Sequence, residues 1–286
     1  MYKRLGMAAA VALAAAGPVA GQAQDAWRAT PAENLLVLDT TQGRVLVEMA
    51  PHVAPAHVER LRTLAGQGFY DGQAFHRVIR DFMAQTGDPS GTGAGGSDLP
   101  NLPGEFRYRR GRDIPFVQVT GSDAGARVSG ILGLHGNLPV VTQPDAQMML
   151  TADFKVDASA WFCPGVAGMA RTEDPNSANS QFYLMTGTGP NLNGQYTVWG
   201  RVVDGLDVVE RLKAGPVEAN GAVGADPDRV VRARVATDLP EAERPRVEVM
   251  DVRSPAFQAV IDETRAARGS RFSICDIQVP TRVAGG

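Results

Sequence analysis

Glycine and proline interrupt this chain so often that no long helix can run through it. There are 32 glycines and 19 prolines in 286 residues. Each proline removes a backbone donor, and each glycine favours a turn. Between these interruptions lie short apolar runs of strand length. Residues 35–38 and 44–49, separated by Thr-Thr-Gln-Gly, predict a hairpin. Further extended runs fall at 74–79, 166–170, 181–185, 196–203 and 230–235. Helical spacing is confined to three places. At 55–65, Pro55 suits a first turn and Val58, Leu61, Leu64 and Ala65 share a face. At 206–212, Val208, Val209 and Leu212 are apolar. Near the end, Ser254 can cap a helix that starts at Pro255 and stops at Gly269, with Phe257, Val260, Ile261 and Thr264 on one side. Residues 24–33 read as a flexible lead-in, and 272–279 as a last extended run. The prediction is a mainly β chain, barrel or sandwich, with a few helices packed on it.

The first two dozen residues have a different character. Lys3 and Arg4 precede an apolar stretch from Met7 to Ala16, then Gly17-Pro18 and the small residues Ala20, Gly21 and Ala23. This is the pattern of a secretory signal peptide at residues 1–23, too short in its apolar part to span a bilayer. Lys plus Arg number 28 and Asp plus Glu 31, a net −3, so removing the two leading cations leaves −3 − 2 = −5. That balance argues against a polybasic nucleic-acid binder. The expectation is a periplasmic protein without a membrane anchor.

Several motif matches fail on context. Residues 91–96 satisfy Gly-x-Gly-x-x-Gly, but Pro100 and Pro103 forbid the helix that a dinucleotide site requires. The four histidines, His52, His57, His76 and His135, lack metal-ligand spacing, so no metal is expected. No serine sits in a nucleophile elbow. Arg107, Arg109, Arg110 and Arg112 read as a solvated loop.

What remains is the stretch 75–89, Phe-His-Arg-Val-Ile-Arg-Asp-Phe-Met-Ala-Gln-Thr-Gly-Asp-Pro. On a strand, Phe75, Arg77 and Ile79 would share one side, with His76 and Val78 on the other. A guanidinium flanked by apolar residues needs partners for its five donors. Gln85, Phe82 and Met83 follow it, and a second segment, 169–183, adds Gln181, Phe182 and Tyr183. The residues suggest an apolar bowl with one fixed cation and two amides at its lip. By local chemistry alone, Arg77 could equally be a bridge between core strands.

Both segments closely resemble the signatures of the cyclophilin-type peptidyl-prolyl cis-trans isomerases, Phe-His-Arg-Val-Ile … Phe-Met-x-Gln-x-Gly-Asp and Met-Ala-Arg-Thr … Ser-Gln-Phe. The stretches 69–72, 105–106 and 196–202 are similar too, in order, from about residue 34 to 237. The resemblance implies an eight-stranded antiparallel barrel capped by two helices, 55–65 and 206–212. It implies that Arg77 is catalytic, that Phe82, Met83, Phe182 and Leu192 wall a proline pocket, and that Gln85 holds the substrate backbone. Gln181 and Tyr183 would line the rest of the groove, with Thr172 at its edge. Tyr196 falls where many members have histidine. Asn191 replaces an aromatic residue, which disfavours tight binding of cyclosporin-type macrocycles. The implied activity is non-covalent X–Pro isomerisation in exported proteins, with no cofactor, by a monomer acting on proline-containing polypeptides of the cell envelope. A binding module or chaperone on the same fold is the alternative.

Two pieces exceed the family core: an insertion at about 108–162 and a C-terminal extension at 238–286, expected to pack on the barrel. Each brings one cysteine, Cys163 at the end of the insertion and Cys275 in the tail. In an exported protein this invites a disulfide; two buried free thiols are the other possibility.

Overall fold

The computed structural model describes residues 26–121 and 129–285, so the leader expected at 1–23 lies outside the described residues. The chain enters through β1 (Trp27–Ala29), then forms the hairpin β2 (Leu35–Thr40) and β3 (Gly43–Met49). Helix α1 (Pro55–Gly66) follows, then β4 (Arg77–Ile79) and β5 (Met83–Thr86). The expected insertion holds β6 (Tyr108–Arg110), β7 (Phe116–Gln118), β8 (Ile131–His135), β9 (Leu138–Thr142) and β10 (Val156–Ala160). The chain then returns with β11 (Val166–Met169), β12 (Phe182–Met185), β13 (Val198–Asp204), α2 (Leu206–Arg211) and β14 (Val230–Val235). The tail supplies β15 (Arg246–Met250), α3 (Pro255–Arg268) and β16 (Thr281–Ala284).

Eight of these strands form one curled antiparallel sheet in the order β14-β2-β3-β13-β11-β12-β5-β4. Its two edges meet through the backbone: Phe75 N donates to Asp228 O, Val78 N to Gly221 O and Val223 N to His76 O, at 2.8, 2.8 and 2.9 Å. The mainly β barrel predicted above is therefore present, with α1 and α2 against it. Inside it pack Leu36, Leu38, Val45, Val47, Val58, Leu61, Phe75, Leu184 and Trp199. The N-terminus of α1 has no side-chain cap of its own. The Glu105 carboxylate, 49 residues away in sequence from Ala56, instead accepts from Ala56 N and from His57 N, 48 away.

The unbroken apolar run Leu35-Leu36-Val37-Leu38 has a tertiary explanation. Alternation sends Leu36 and Leu38 into the barrel and Leu35 and Val37 outward. The outward pair packs with Leu46, Leu239, Val247 and Val249, so the tail covers that face. Residues 24–33 were expected to be a flexible lead-in, but Trp27–Ala29 is a strand paired with β15. Its partner is more than 200 residues on, beyond the reach of local pattern. The last extended run is also displaced: residues 272–279 contain a 3-10 turn at Ile274–Asp276, and the strand begins at Thr281.

The insertion is a five-stranded antiparallel sheet, β6-β10-β9-β8-β7. One side packs on the barrel, where Tyr108, Leu138, Val140 and Phe162 meet Met83, Val166, Tyr183 and Val198. Val119 and Leu134 pack against Phe257, Ile261, Phe272 and Ile277 of the tail. The buried Arg201 of β13 ties all three units. Its Nη1 donates to Asn137 O of the insertion at 2.6 Å and its Nη2 to Ile277 O of the tail at 3.2 Å. Burial lowers the pKa of this guanidinium to about 10. Cys163 and Cys275 are joined by a disulfide, with Cα atoms 4.9 Å apart. The basic cluster is not wholly a solvated loop. Arg110 is 1% exposed, donates to Thr142 Oγ1 and Asp145 Oδ1, and lies 4.1 Å from the Phe116 ring centroid.

His52 and His135 meet at the seam between barrel and insertion, ring centroids 5.0 Å apart. The Tyr108 hydroxyl lies 2.9 Å from His135 Nδ1. Burial pushes the pKa of His52 down to about 4 and, with His52 and Arg110 nearby, that of His135 to about 3. Unfolded histidines take up protons near pH ~6.5, whereas these folded ones do not. The stability they contribute is complete above that pH and is lost as pH falls toward the folded values, on the order of a few kcal/mol. Melting temperature should therefore drop between about pH 6.5 and 4, and less steeply in a His135→Phe variant. Equal slopes would remove this pair as the cause.

Candidate active site

The site is built on three neighbouring strands. Arg77 of β4 lies opposite Gln85 of β5, and Gln85 lies opposite Tyr183 of β12. Residues directly opposite across a ladder point to the same face. The row Arg77–Gln85–Tyr183 therefore faces outward together, as does the next outward row, Ile79–Met83–Met185. The row between them, Val78–Ala84–Leu184, faces the barrel interior.

This parity corrects two expectations. Phe182 does not wall the groove. It shares the inward parity of Leu184, is fully buried, and packs edge-on against Tyr70 and Trp199. Tyr183 takes the place on the wall. Phe75 does not share the side of Arg77 either. The strand starts only at Arg77, so alternation does not extend back to Phe75, which turns into the core.

Phe82, Met83, Tyr183, Leu192 and Tyr196 line a hollow of about 400 Å³, with Arg77 and Gln85 beside it. A second hollow of about 350 Å³ adjoins it, lined by Gln85, Thr172, Asn179, Gln181 and the glycine-rich loop. The structure thus gathers every expected site residue except Phe182 along one groove. Arg171, which falls in the Met-Ala-Arg-Thr signature but carries no site role there, and Asn220, which sequence reasoning missed, also line it. An Asn-Gly pair at 220–221 is a turn signal. Nothing local ties it to Arg77, 143 residues away.

Arg77 Nε donates to Asn220 O and Nη2 to Asn220 Oδ1, both at 3.0 Å, while Nη1 donates to Gln85 Oε1 at 3.3 Å. Gln85 Nε2 donates to Gln181 Oε1 at 2.8 Å, and Gln181 Nε2 reaches Gly93 O and Gly95 O. The cation is therefore aimed by a chain of neutral amides. Partial burial lowers its pKa from the usual value, yet a guanidinium stays charged at neutral pH. Arg77 both spans the barrel seam and lines the hollow.

The glycine-rich loop is also accounted for. The Asp88 carboxylate accepts from Ser90 N, Thr92 N and Gly93 N at 2.8, 3.1 and 2.6 Å. Burial opposes its charge, but these donors and the Ser90 hydroxyl hold its pKa at about 2. The backbone donors that a phosphate would need are occupied from within.

The walls are braced from the insertion side. The Phe162 ring stacks on Tyr183, centroids 6.0 Å apart. Phe162 N donates to Asn193 Oδ1 at 2.8 Å, and Phe162 O accepts from Gly189 N at 2.9 Å, fixing the turn that carries Leu192. Gly168 sits opposite Tyr183. A Cβ there would lie 2.6 Å from Tyr183 Cζ and 2.9 Å from Phe162 Cε1. Gly168→Ala should push Tyr183 into the hollow and raise KM several-fold more than it lowers kcat. A KM like that of the wild type would show that the wall can yield.

The antiparallel barrel thus carries on its outer face a groove in which the aimed guanidinium of Arg77 stands beside Phe82, Met83, Tyr183 and Leu192, with no serine, cysteine or carboxylate among the described residues lining that hollow. Residues 35–235 match the family described as "Cyclophilin type peptidyl-prolyl cis-trans isomerase/CLD", and the chain belongs to that family. It is 38% identical over 241 residues to the "Probable peptidyl-prolyl cis-trans isomerase" of Brucella suis, covering 79% of this chain and 96% of that protein. Over 186 residues it is 31% identical to "Peptidyl-prolyl cis-trans isomerase-like 1" of Rhizopus delemar, covering 65% and 83%. The crystal structure of cyclophilin AquaCyp293 from Hirschia baltica superposes with a TM-score of 0.79 at 33% identity, covering 95% of this chain and 99% of that one. That likeness extends beyond the barrel into the insertion and tail.

Proposed function

We propose that this cyclophilin-type isomerase turns X–Pro bonds in exported polypeptides of the cell envelope, as a periplasmic monomer. The observation that carries the reading is Arg77, a guanidinium held by neutral amides beside a hollow walled by Phe82, Met83 and Leu192. Amide resonance sets a barrier of ~18–20 kcal/mol to rotation. In the hollow, Phe82, Met83 and Leu192 would grip the pyrrolidine ring while the preceding carbonyl turns. Gln85 would hold the substrate backbone. Arg77 would donate toward the prolyl nitrogen as it becomes pyramidal, an interaction stronger in the twisted state than in the planar one. No bond is made or broken.

Two observations support the compartment: the leader pattern at 1–23 and the Cys163–Cys275 disulfide, a bond that persists under oxidising conditions. No described residue of 108–162 lines the first hollow, which leaves the groove open for a polypeptide. The test is NMR exchange spectroscopy on Ala-Pro peptides with the mature chain, beside cell fractionation of the full-length one. Isomerisation at the uncatalysed rate would favour the binding-module reading, and recovery in the cytoplasm would overturn the location.

A further inference from the structure

Arg171 follows β11 and lines both hollows of the groove. Its Nε and Nη2 donate to Gln195 O at 3.1 and 2.9 Å, and its Nη1 donates to Thr172 O and Glu173 O at 2.7 and 3.3 Å. The guanidinium lies 4.3 Å from the ring centroid of Tyr196 and 5.8 Å from that of Phe106. Every one of these partners is a backbone carbonyl or a ring face. Such groups orient a cation without cancelling its charge. The adjacent acid, Glu173, offers its carbonyl here, not its carboxylate.

Arg77, on the same hollow, is likewise held by amide oxygens alone. The described residues lining the two hollows include no aspartate or glutamate. A chain with a net charge of −3 thus presents a groove whose described lining carries two fixed cations and no acidic side chain; the nearby Asp88 carboxylate is turned into the glycine-rich loop, where Ser90, Thr92 and Gly93 donate to it. Low-dielectric walls concentrate such a field on whatever enters.

We infer that the groove selects proline segments bearing an acidic side chain within two positions of the proline, and that Arg171 is the residue that reads it. The inference rests on the reading that the proline ring occupies the hollow beside Arg77. An extended peptide advances ~3.3 Å per residue. With the ring in the first hollow, a neighbour one or two positions away passes the boundary with the adjoining one, where Arg171 stands. The occupant is a carboxylate on a polypeptide, because the groove is open and its described lining offers such a charge two guanidiniums and no competing acid, beside the apolar side chains of Phe82, Met83 and Leu192.

The test uses peptides that differ only by Glu, Gln or Lys at each of the two positions on either side of the proline. NMR exchange spectroscopy reads them without a coupling protease. For at least one position, kcat/KM should follow Glu > Gln > Lys, with Glu about three- to tenfold above Gln at low ionic strength. The gap should close near 1 M salt, where the screening length is ~3 Å. Arg171→Gln should bring the Glu-to-Gln ratio close to one, and Arg171→Lys should keep most of it. Equal rates on Glu and Gln peptides with the wild type, or an unchanged ratio in Arg171→Gln, would overturn the inference. Uncatalysed rates on every peptide would overturn the isomerase reading along with it.

Discussion

Replacing Arg77 by alanine is expected to cut kcat/KM on X–Pro peptides by about a hundredfold or more while leaving the barrel folded. Removing one donor aimed at developing charge typically costs 10²–10³ in rate, about 2.7–4 kcal/mol of transition-state stabilisation. The fold should tolerate the change. Arg77 is only partly buried, and its hydrogen bonds run to Asn220 and Gln85 at a surface that water can reach. Their loss is worth about 1 kcal/mol of stability. Arg77→Lys keeps the charge but not the fork that engages Asn220 twice, so it should recover only part of the rate. Circular dichroism and the exchange assay together separate the outcomes. A folded alanine variant with undiminished turnover would refute the assignment of Arg77.

The other large effect concerns the disulfide. Cys163 and Cys275 are 112 residues apart in sequence, and closing a loop of that size constrains the unfolded chain by about 4–5 kcal/mol in the chain-entropy account. Reduction, or Cys275→Ser, should lower the melting temperature by roughly 10 °C for a chain of this size. It should also reach the site. Phe162, the neighbour of Cys163, stacks on Tyr183 and fixes the turn carrying Leu192. Freed from the tail, that brace should loosen and KM should rise before kcat falls. Identical melting curves with and without reductant would mean that packing around Ile274 and Phe272 holds the tail alone.

Much of the site was legible because it is written locally. Arg77, Phe82, Met83 and Gln85 lie within nine consecutive residues, and a hairpin converts that spacing directly into a shared face. Tyr183 and Phe182 were harder to tell apart. They are adjacent and both aromatic, and only the register of β12 against β5 decides which of them faces out. Asn220 and the role of Arg171 escaped notice for different reasons. Asn220 reaches the site through barrel closure, 143 residues from Arg77. Arg171 lies in a recognisable signature, but nothing in that signature gives it a role until its ring and carbonyl partners are seen together. Arg110 misled in the opposite sense, since a run of arginines suggests solvent while Thr142, Asp145 and Phe116 surround this one.

By itself, the order of residues determined the locally written features: the hairpin at the start, the apolar side of α1, the Ser254 cap, and the segment that carries the guanidinium. These depend on spacing and turn chemistry over a few residues, where side-chain periodicity leaves little choice. Only the tertiary structure decided how the insertion and tail lie, why both faces of β2 are buried, and which neutral partners aim Arg77 and Arg171. Those outcomes depend on contacts between residues tens to hundreds of positions apart. Loop closure over such distances costs little more with each added residue, so the chain can form contacts that no local window reveals.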